Sequence, residues 1–291
     1  MDKAKYIVID LETYRCTDPD VVRTLTTDAL LREPAKNEKV AVKKNWDTPQ
    51  GRQARVDEAL EKTSVDPLLA EVVCIGYKTD TTSTTTLKPG VRQIDGERRL
   101  DPLQMLADAA LLFDSYAGPQ TTWVGHNMQG FDLGILLNQW RRYSIHPPTH
   151  FPPYRNGKWR GRLWDTMKAT PCKNALGFIK LDAVCQALGM GPGKAYEWEG
   201  MPMEGSRVGE LVERALAGED NLWLVLQEYC ACDIDQTEDV FLRQTCRGAY
   251  PAEWRDAVAE QVRAIEESEG TEAQKAVGLV SVLGAAGLIP R

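Results

Sequence analysis

Apolar runs bounded by polar residues mark the first predicted strands of this chain. They read YIVID at 6–10, EVVCIGY at 71–77 and TTWVG at 121–125, and a shorter run, RLWDT, follows at 162–166. Runs of this length that are rich in β-branched and aromatic residues are typical of buried strands. The pattern therefore predicts a sheet built from several short strands.

Helical spacing of apolar residues begins after Phe131. Leu133, Leu136, Leu137 and Trp140 recur at the spacing of one helix face. Further segments predicted to be helical are LDAVCQALG (181–189), SRVGELVERAL (206–216) and a longer stretch from about 221 to 247. Because strands come first and helices then alternate with short strands, we expect an α/β architecture with a mixed sheet.

Two regions read as additions to this pattern. Residues 14–65 are polar, poor in strand signals and interrupted by prolines at 19, 34 and 49, so we interpret them as an inserted linker after the first strand. Its lysines near Trp46 make it a candidate lid over a substrate. Residues 251–275 are strongly acidic, which is typical of a solvated helix or loose tail. We expect one domain over 1–250 and a tail over 251–291.

Composition narrows the class of protein. Hydrophobic residues make up 43% and charged residues 26%, as in soluble globular proteins, and the net charge of -7 argues against a general nucleic-acid coat. No apolar run reaches the ~20 residues that span a bilayer, so we expect no membrane partner. The seven cysteines are scattered, without zinc spacing and without a preceding signal peptide, which indicates a reducing cytoplasm.

Basic residues concentrate in one part of the chain. Between 151 and 180 there are seven lysines and arginines and one acid, Asp165, with aromatic residues among them. Such a stretch suits a phosphate backbone and stacked bases, although an ordinary solvated loop has the same composition. We treat 151–180 as a candidate track for a nucleic-acid strand.

Two acids end the first apolar run. Asp10 and Glu12 are one residue apart, so on a strand they point to the same face, with Cα atoms roughly 6–7 Å apart, while Leu11 points to the other. Like charges at this distance repel and resist burial unless a cation neutralises them. Taken alone, the pair favours the simpler interpretation that the strand has reached the surface.

Two later motifs carry further polar groups. His126, Asn127 and Asp132 follow another apolar strand, at a strand–helix junction where Asp132 could also be a helix N-cap. Tyr229 and Asp233 are four residues apart on a predicted helix and share one face. A tyrosine packed over a surface acid would show the same spacing.

The three motifs together resemble the DEDD superfamily of 3′–5′ exonucleases. D-x-E, N-x-x-x-F-D and Y-x-x-x-D occur in that order, and Glu228, five residues before the last Asp, stands where the other branch of the superfamily has histidine. The tyrosine branch therefore fits. LWDTMK, KLDAVCQALGMGPGK and YCACDIDQT are similar to bacterial or phage-borne stand-alone exonucleases related to the proofreading domain of family B DNA polymerases. The resemblance covers about residues 5–247.

The resemblance implies a ribonuclease H-like fold, with a mixed five-stranded sheet flanked by helices. It also implies that Asp10, Glu12, Asp132 and Asp233 hold two Mg²⁺ or Mn²⁺ ions and that Tyr229 orients the attacking water. Asp10 would contact both ions, Glu12 and Asp233 the first, and Asp132 the second. Candidate substrate-binding residues are Leu11, Thr13, His126, Asn127 and Phe131.

The expected activity is release of nucleoside 5′-monophosphates from single-stranded 3′ ends, with DNA favoured over RNA. A separate polymerase or a recombination protein is a candidate partner. Two alternatives stay open at this stage. One is a catalytically silent nucleic-acid-binding scaffold of the same fold, and the other is a hydrolase with paired carboxylates, such as a glycosidase, which would need no metal.

Overall fold

The computed structural model describes residues 3–33, 45–170, 178–190 and 196–245, with the single residues 260 and 263. The chain divides into two compact units, Met1–Thr237 and Glu238–Arg291. Every site discussed below lies in the first unit. The predicted tail over 251–291, apart from residues 260 and 263, lies outside the described residues, as do the lysines of the candidate lid.

Strands and helices are numbered in chain order. The strands are β1 (Tyr6–Tyr14), β2 (Glu71–Thr79), β3 (Thr85–Leu87), β4 (Gly90–Ile94), β5 (Glu97–Asp101), β6 (Thr122–Gly125), β7 (Tyr154–Arg155), β8 (Lys158–Trp159), β9 (Leu163–Asp165), β10 (Glu197–Trp198) and β11 (Met201–Pro202). The helices are α1 (Pro19–Leu31), α2 (Pro49–Glu61), α3 (Leu103–Tyr116), α4 (Asp132–Arg142), α5 (Thr166–Ala169), α6 (Leu181–Ala187), α7 (Val208–Leu216) and α8 (Leu222–Gln244).

The central sheet has five strands in the order β3-β2-β1-β6-β9. β1 pairs antiparallel with β2, and β2 pairs antiparallel with β3. On the other side β1 runs parallel to β6, and β6 runs parallel to β9. The expected mixed five-stranded sheet flanked by helices is confirmed, and its strand order is consistent with a ribonuclease H-like fold.

Each face of β1 packs against a different set of helices because side chains alternate along a strand. Ile7, Ile9 and Leu11 belong to a buried cluster with residues of α3 and α4, such as Phe113 and Leu133. The opposite face belongs to a second cluster, which contains Tyr14, Cys74, Val212, Leu226, Tyr229 and Cys230. Asp10 and Glu12 alternate with Leu11 and therefore face α8.

The structure corrects two expectations about the first 65 residues. β1 extends to Tyr14 because β2 pairs with it that far, with a bulge between Glu12 and Thr13, so the acids lie within the strand. The supposed linker contains two helices, and the prolines at 19 and 49 stand in their first turns. Proline suits this position because the helix needs no N–H there.

The candidate lid also differs from expectation around Trp46. Its ring is buried, its Nε1–H donates to the Arg32 carbonyl, and the Arg55 guanidinium lies 4.4 Å from its centroid. Trp46 thus joins α1 to α2 and is not exposed to a substrate.

No helix in the described part of the chain combines the length and the apolar character that crossing a membrane requires.

Candidate active site

A cavity of about 380 Å³ lies beside β1 and gathers acids from distant parts of the chain. Its lining residues are Asp10, Leu11, Glu12, His126, Phe131, Phe178, Lys180, Leu181, Asp182, Glu204, Gly205, Ser206, Tyr229 and Asp233. The sequence motifs around Asp10 and around Tyr229 therefore meet in one place. We call this space the carboxylate cavity.

Helix α8 packs closely against the sheet at Gly76 of β2, where there is no side chain between the helix and the strand. Gly76 pairs with Asp10 across β1 and β2, and a Cβ atom on it would lie 2.7 Å from Cys230 Sγ and 2.8 Å from Ile234 Cγ1. Contacts that short do not occur between real atoms, so glycine is required for this close approach. The approach carries Tyr229 and Asp233, one turn apart on α8, to the side of Asp10.

Tyr229 is a poor proton acceptor at this site. Burial raises the pKa of its phenol, and the charges of Glu12, Asp233 and Asp10 raise it further. The phenol therefore stays protonated near neutral pH and can only donate its proton to a hydrogen bond or orient a neighbour. Asp10, Glu12 and Asp233 line the same cavity as Tyr229.

Cys230 adds a sulfur atom to the acidic cluster. Its Sγ lies 3.8 Å from Asp10 Oδ2, and ligand atoms of Asp10, Glu12 and Cys230 all fall within 4.8 Å of one another. Hydrogen bonding to Cys74, together with burial, raises the pKa of the Cys230 thiol. The thiol thus stays protonated and directs a weak hydrogen bond at Asp10. Spacing between cysteines gave no sign of this contact, because its partner is 220 residues away.

The donor set fits a hard divalent cation. Carboxylate oxygens are the ligands that Mg²⁺ and Mn²⁺ prefer, and Asp10 and Glu12 present them together. Asp233 lines the same cavity. Among the described lining residues Lys180 is the one lysine or arginine, so negative charge predominates and binding of cations is favoured.

Asp132 lies beside the cavity and is not one of its described lining residues. It is the first residue of α4, Phe131 is the N-cap, and its Oδ1 accepts a 3.1 Å hydrogen bond from the Leu11 N–H. Burial raises its pKa to about 7, and the charge of Asp165 also raises it, against the lowering effect of its backbone hydrogen bonds. The Leu11 amide, a candidate substrate donor, is thus engaged with Asp132.

Asp165 is a structural neighbour of the site that the sequence did not mark as a site residue. It is buried at the end of β9, and its carboxylate accepts hydrogen bonds from the backbone N–H groups of Asn127 and Gln129 at 3.1 and 3.2 Å. These bonds hold the turn that leads into Asp132. The sequence did contain one sign of this role, because Asp165 is the one acid in the basic stretch 151–180.

The other predicted substrate residues have structural partners. Asn127 adopts a left-handed conformation with φ 59°, which suits the turn between β6 and α4. His126 Nε2 lies 2.7 Å from the Ile179 carbonyl oxygen and must donate to it, and its Nδ1 lies 2.9 Å from Thr166 Oγ1. The Thr13 hydroxyl donates to the Ser64 carbonyl oxygen. Of the predicted substrate residues, Leu11, His126 and Phe131 line the carboxylate cavity.

The basic stretch 151–180 is spread over several elements. Arg155 and Lys158 lie on the β7–β8 hairpin, Lys168 donates to the Gln129 side chain, and Lys173 lies outside the described residues. Lys180, at the end of the stretch, reaches the carboxylate cavity. A track along the whole stretch stays a prediction.

Comparison with known proteins gives a weak likeness of fold. The structure of the family B DNA polymerase from the hyperthermophilic archaeon Pyrobaculum calidifontis is similar to this chain with a TM-score of 0.47 and 13% identity. The match covers 97% of this chain and 29% of the polymerase chain, so this chain spans less than a third of that length. No family model and no curated protein matches the sequence. Likeness at this level carries no argument about activity.

Proposed function

We propose that this protein is a metal-dependent 3′–5′ exonuclease that acts on single-stranded DNA. The observation that carries the proposal is the meeting of Asp10, Glu12, Tyr229 and Asp233 in one cavity, although the motifs are over 200 residues apart. Three carboxylates around one space fit divalent cations, and a phosphodiester is the kind of anionic substrate that such cations bind. A glycosidase would need no such cation.

In this proposal Asp10, Glu12 and Asp233 hold two Mg²⁺ or Mn²⁺ ions, with Asp132 as a further ligand, directly or through water. When bound, the ions would neutralise the phosphate and lower the pKa of a water molecule. The Tyr229 hydroxyl would donate a hydrogen bond that orients a water molecule for attack on phosphorus. As the bond from the water oxygen to phosphorus forms, the bond from phosphorus to the 3′ oxygen breaks. The water gives up a proton to solvent, the 3′ oxygen takes one up and stays on the shortened strand, and a nucleoside 5′-monophosphate leaves.

The basic test is digestion of 5′-end-labelled single-stranded DNA and RNA with Mg²⁺, Mn²⁺ or chelator. We expect stepwise shortening from the 3′ end with either ion, faster on DNA, and none in chelator. Asp10→Ala should lower the rate by about 1000-fold, because a metal ligand supplies several kcal/mol of transition-state stabilisation. Binding of the strand should persist.

Asp235→Ala is the matched control. Asp235 lies two residues from Asp233 on α8 but is exposed and bridges to Lys78 on the surface. Its loss should leave the rate near that of the wild type, since exposed ion pairs contribute little. If the wild-type protein binds single strands but degrades none with either ion, it is a silent scaffold and the proposal fails.

A further inference from the structure

A second cavity adjoins the carboxylate cavity. Its volume is about 400 Å³, and its lining residues are Phe178, Ile179, Lys180, Asp182, Ala183 and Gln186. Phe178, Lys180 and Asp182 line both cavities. Residues 178–182, which we call the shared wall, therefore separate the two spaces, and a chain molecule leaving the first cavity over this wall would enter the second.

Phe178 is the exposed aromatic residue of the shared wall. Its side chain is 62% exposed, and of the strongly exposed large hydrophobic residues in the described parts of the chain it is the one that lines the carboxylate cavity. Its ring meets the His126 ring edge to face, with centroids 6.5 Å apart and an interplanar angle of 80°. An aromatic ring that is both exposed and held in place is a surface on which a base can stack.

His126 fixes the position of this wall. It is tied to Thr166 and to the Ile179 carbonyl oxygen, so the residue that follows Phe178 is anchored at the end of β6. The neighbouring Lys180 is exposed and is the one lysine or arginine among the described lining residues of either cavity. The wall thus offers an aromatic ring and a positive charge two residues apart, the combination that binds the bases and phosphates of a single strand.

The size of the carboxylate cavity calls for a second subsite. Its volume of about 380 Å³ lies near the lower end for small-molecule sites, which leaves room for about one nucleotide. The remainder of a polynucleotide must then cross the rim. The shared wall carries Phe178 and Lys180, which such a strand would contact, together with one acid, Asp182. Five of the described residues that line the carboxylate cavity are acids.

We propose that the second cavity is the subsite for the nucleotide next to the 3′-terminal one, whose base stacks on Phe178 and whose phosphate contacts Lys180. This inference rests on the proposed exonuclease function for its meaning. It names single-stranded polynucleotide, and not a free mononucleotide, as the substrate that the protein binds best. His126 has a positioning role in it, because it holds the wall and does not contact the substrate.

The test compares a substrate that reaches the second cavity with one that does not. The substrates are an oligothymidylate and the p-nitrophenyl ester of thymidine 5′-monophosphate, and the readout is the ratio of their kcat/KM values. Phe178→Ala should lower this ratio about tenfold, because stacking on one aromatic ring is lost. Phe178→Trp should restore it. Leu111→Ala, which removes an exposed apolar side chain of α3 that is not among the described lining residues of either cavity, should keep the wild-type ratio.

A binding measurement separates this proposal from the proposed activity. In the Asp10→Ala background, fluorescence anisotropy of labelled oligothymidylate should show about tenfold weaker binding on adding Phe178→Ala. Lys180→Ala should reduce the salt dependence of log K by about 0.7, as expected for one lost phosphate contact. If the wild type cleaves neither substrate, the exonuclease proposal fails, and anisotropy still decides on the subsite. An unchanged affinity for Phe178→Ala, or an equal loss for Leu111→Ala, would overturn the subsite.

Discussion

At the residue scale, Asp132 is a buried acid beside the cavity, whereas the buried acids Glu12 and Asp233 line it. Asp132 is 2% exposed, and its raised pKa of about 7 follows mainly from this burial. In the metal-free protein its proton is therefore held at a pH where the unfolded chain, with a pKa near 3.8, has lost it. A divalent cation nearby would favour the charged form and remove this cost.

This difference predicts how stability changes with pH. Between about pH 4 and 7 the folded state binds more protons than the unfolded state, so stability falls as pH rises through this window. The loss contributed by Asp132 approaches about 4 kcal/mol at the upper end. In Asp132→Asn the group does not titrate, so the variant should gain stability relative to wild type across the window. Urea unfolding in chelator at several pH values measures this difference.

A constant difference between Asp132→Asn and wild type over that pH range would contradict the prediction. Added Mn²⁺ provides a second comparison. A cation that binds only the folded wild type stabilises it by an amount that rises with the logarithm of the cation concentration above Kd, and Asp10→Ala should reduce that gain. The comparison separates the burial of Asp132 from the binding of metal.

At the element scale, the approach of α8 to the sheet decides whether the site forms. The helix delivers Tyr229 and Asp233, and Gly76 is the point on β2 that permits its approach. A side chain at Gly76 would meet Cys230 and Ile234, which are both buried. The helix would have to shift outward and would move Tyr229 and Asp233 away from Asp10.

We therefore predict that Gly76→Ala lowers both stability and activity. Overpacking of a buried contact costs about 1–3 kcal/mol, measured by urea unfolding. The exonuclease rate should fall further than the remaining folded fraction explains, because Tyr229 and Asp233 would be displaced from Asp10. Gly209→Ala on α7 is the matched control, since a Cβ atom added to Gly209 would meet no atom outside the nearby backbone of its own helix within 4 Å in the described part of the chain. That change should be neutral or stabilise by up to about 1 kcal/mol. Equal behaviour of the two variants would show that α8 does not depend on Gly76.

At the scale of the whole molecule, the sequence predicted what local patterns encode. Apolar runs and helical spacing located four strands of the sheet and the helices α4, α6, α7 and α8. The alternation along β1 placed Asp10 and Glu12 on one face. Contacts between distant segments left no such pattern. Asp165 accepts hydrogen bonds from backbone N–H groups 36 and 38 residues away in the chain. The position of the shared wall between two cavities is likewise visible only in the structure.

The prolines and the polar composition of residues 14–65 led to the prediction of a linker, whereas this segment contains two helices. Both features are common in linkers, yet a proline in the first turn of a helix and a polar helix surface satisfy them equally well. Capping by Asp18 and Thr48 begins the two helices, and Trp46 with Arg55 joins them. The side-chain capping signals were present in the sequence, directly before each proline.

The most direct test of the account is anomalous diffraction from crystals soaked in Mn²⁺ and a nucleoside 5′-monophosphate. We predict two manganese peaks, both within ligand distance of Asp10, with Glu12 and Asp233 on the first and Asp132 near the second. The phosphate should lie between them and the Tyr229 hydroxyl. Diffraction that shows manganese only elsewhere on the molecule, or no manganese beside Asp10, would contradict the central claim.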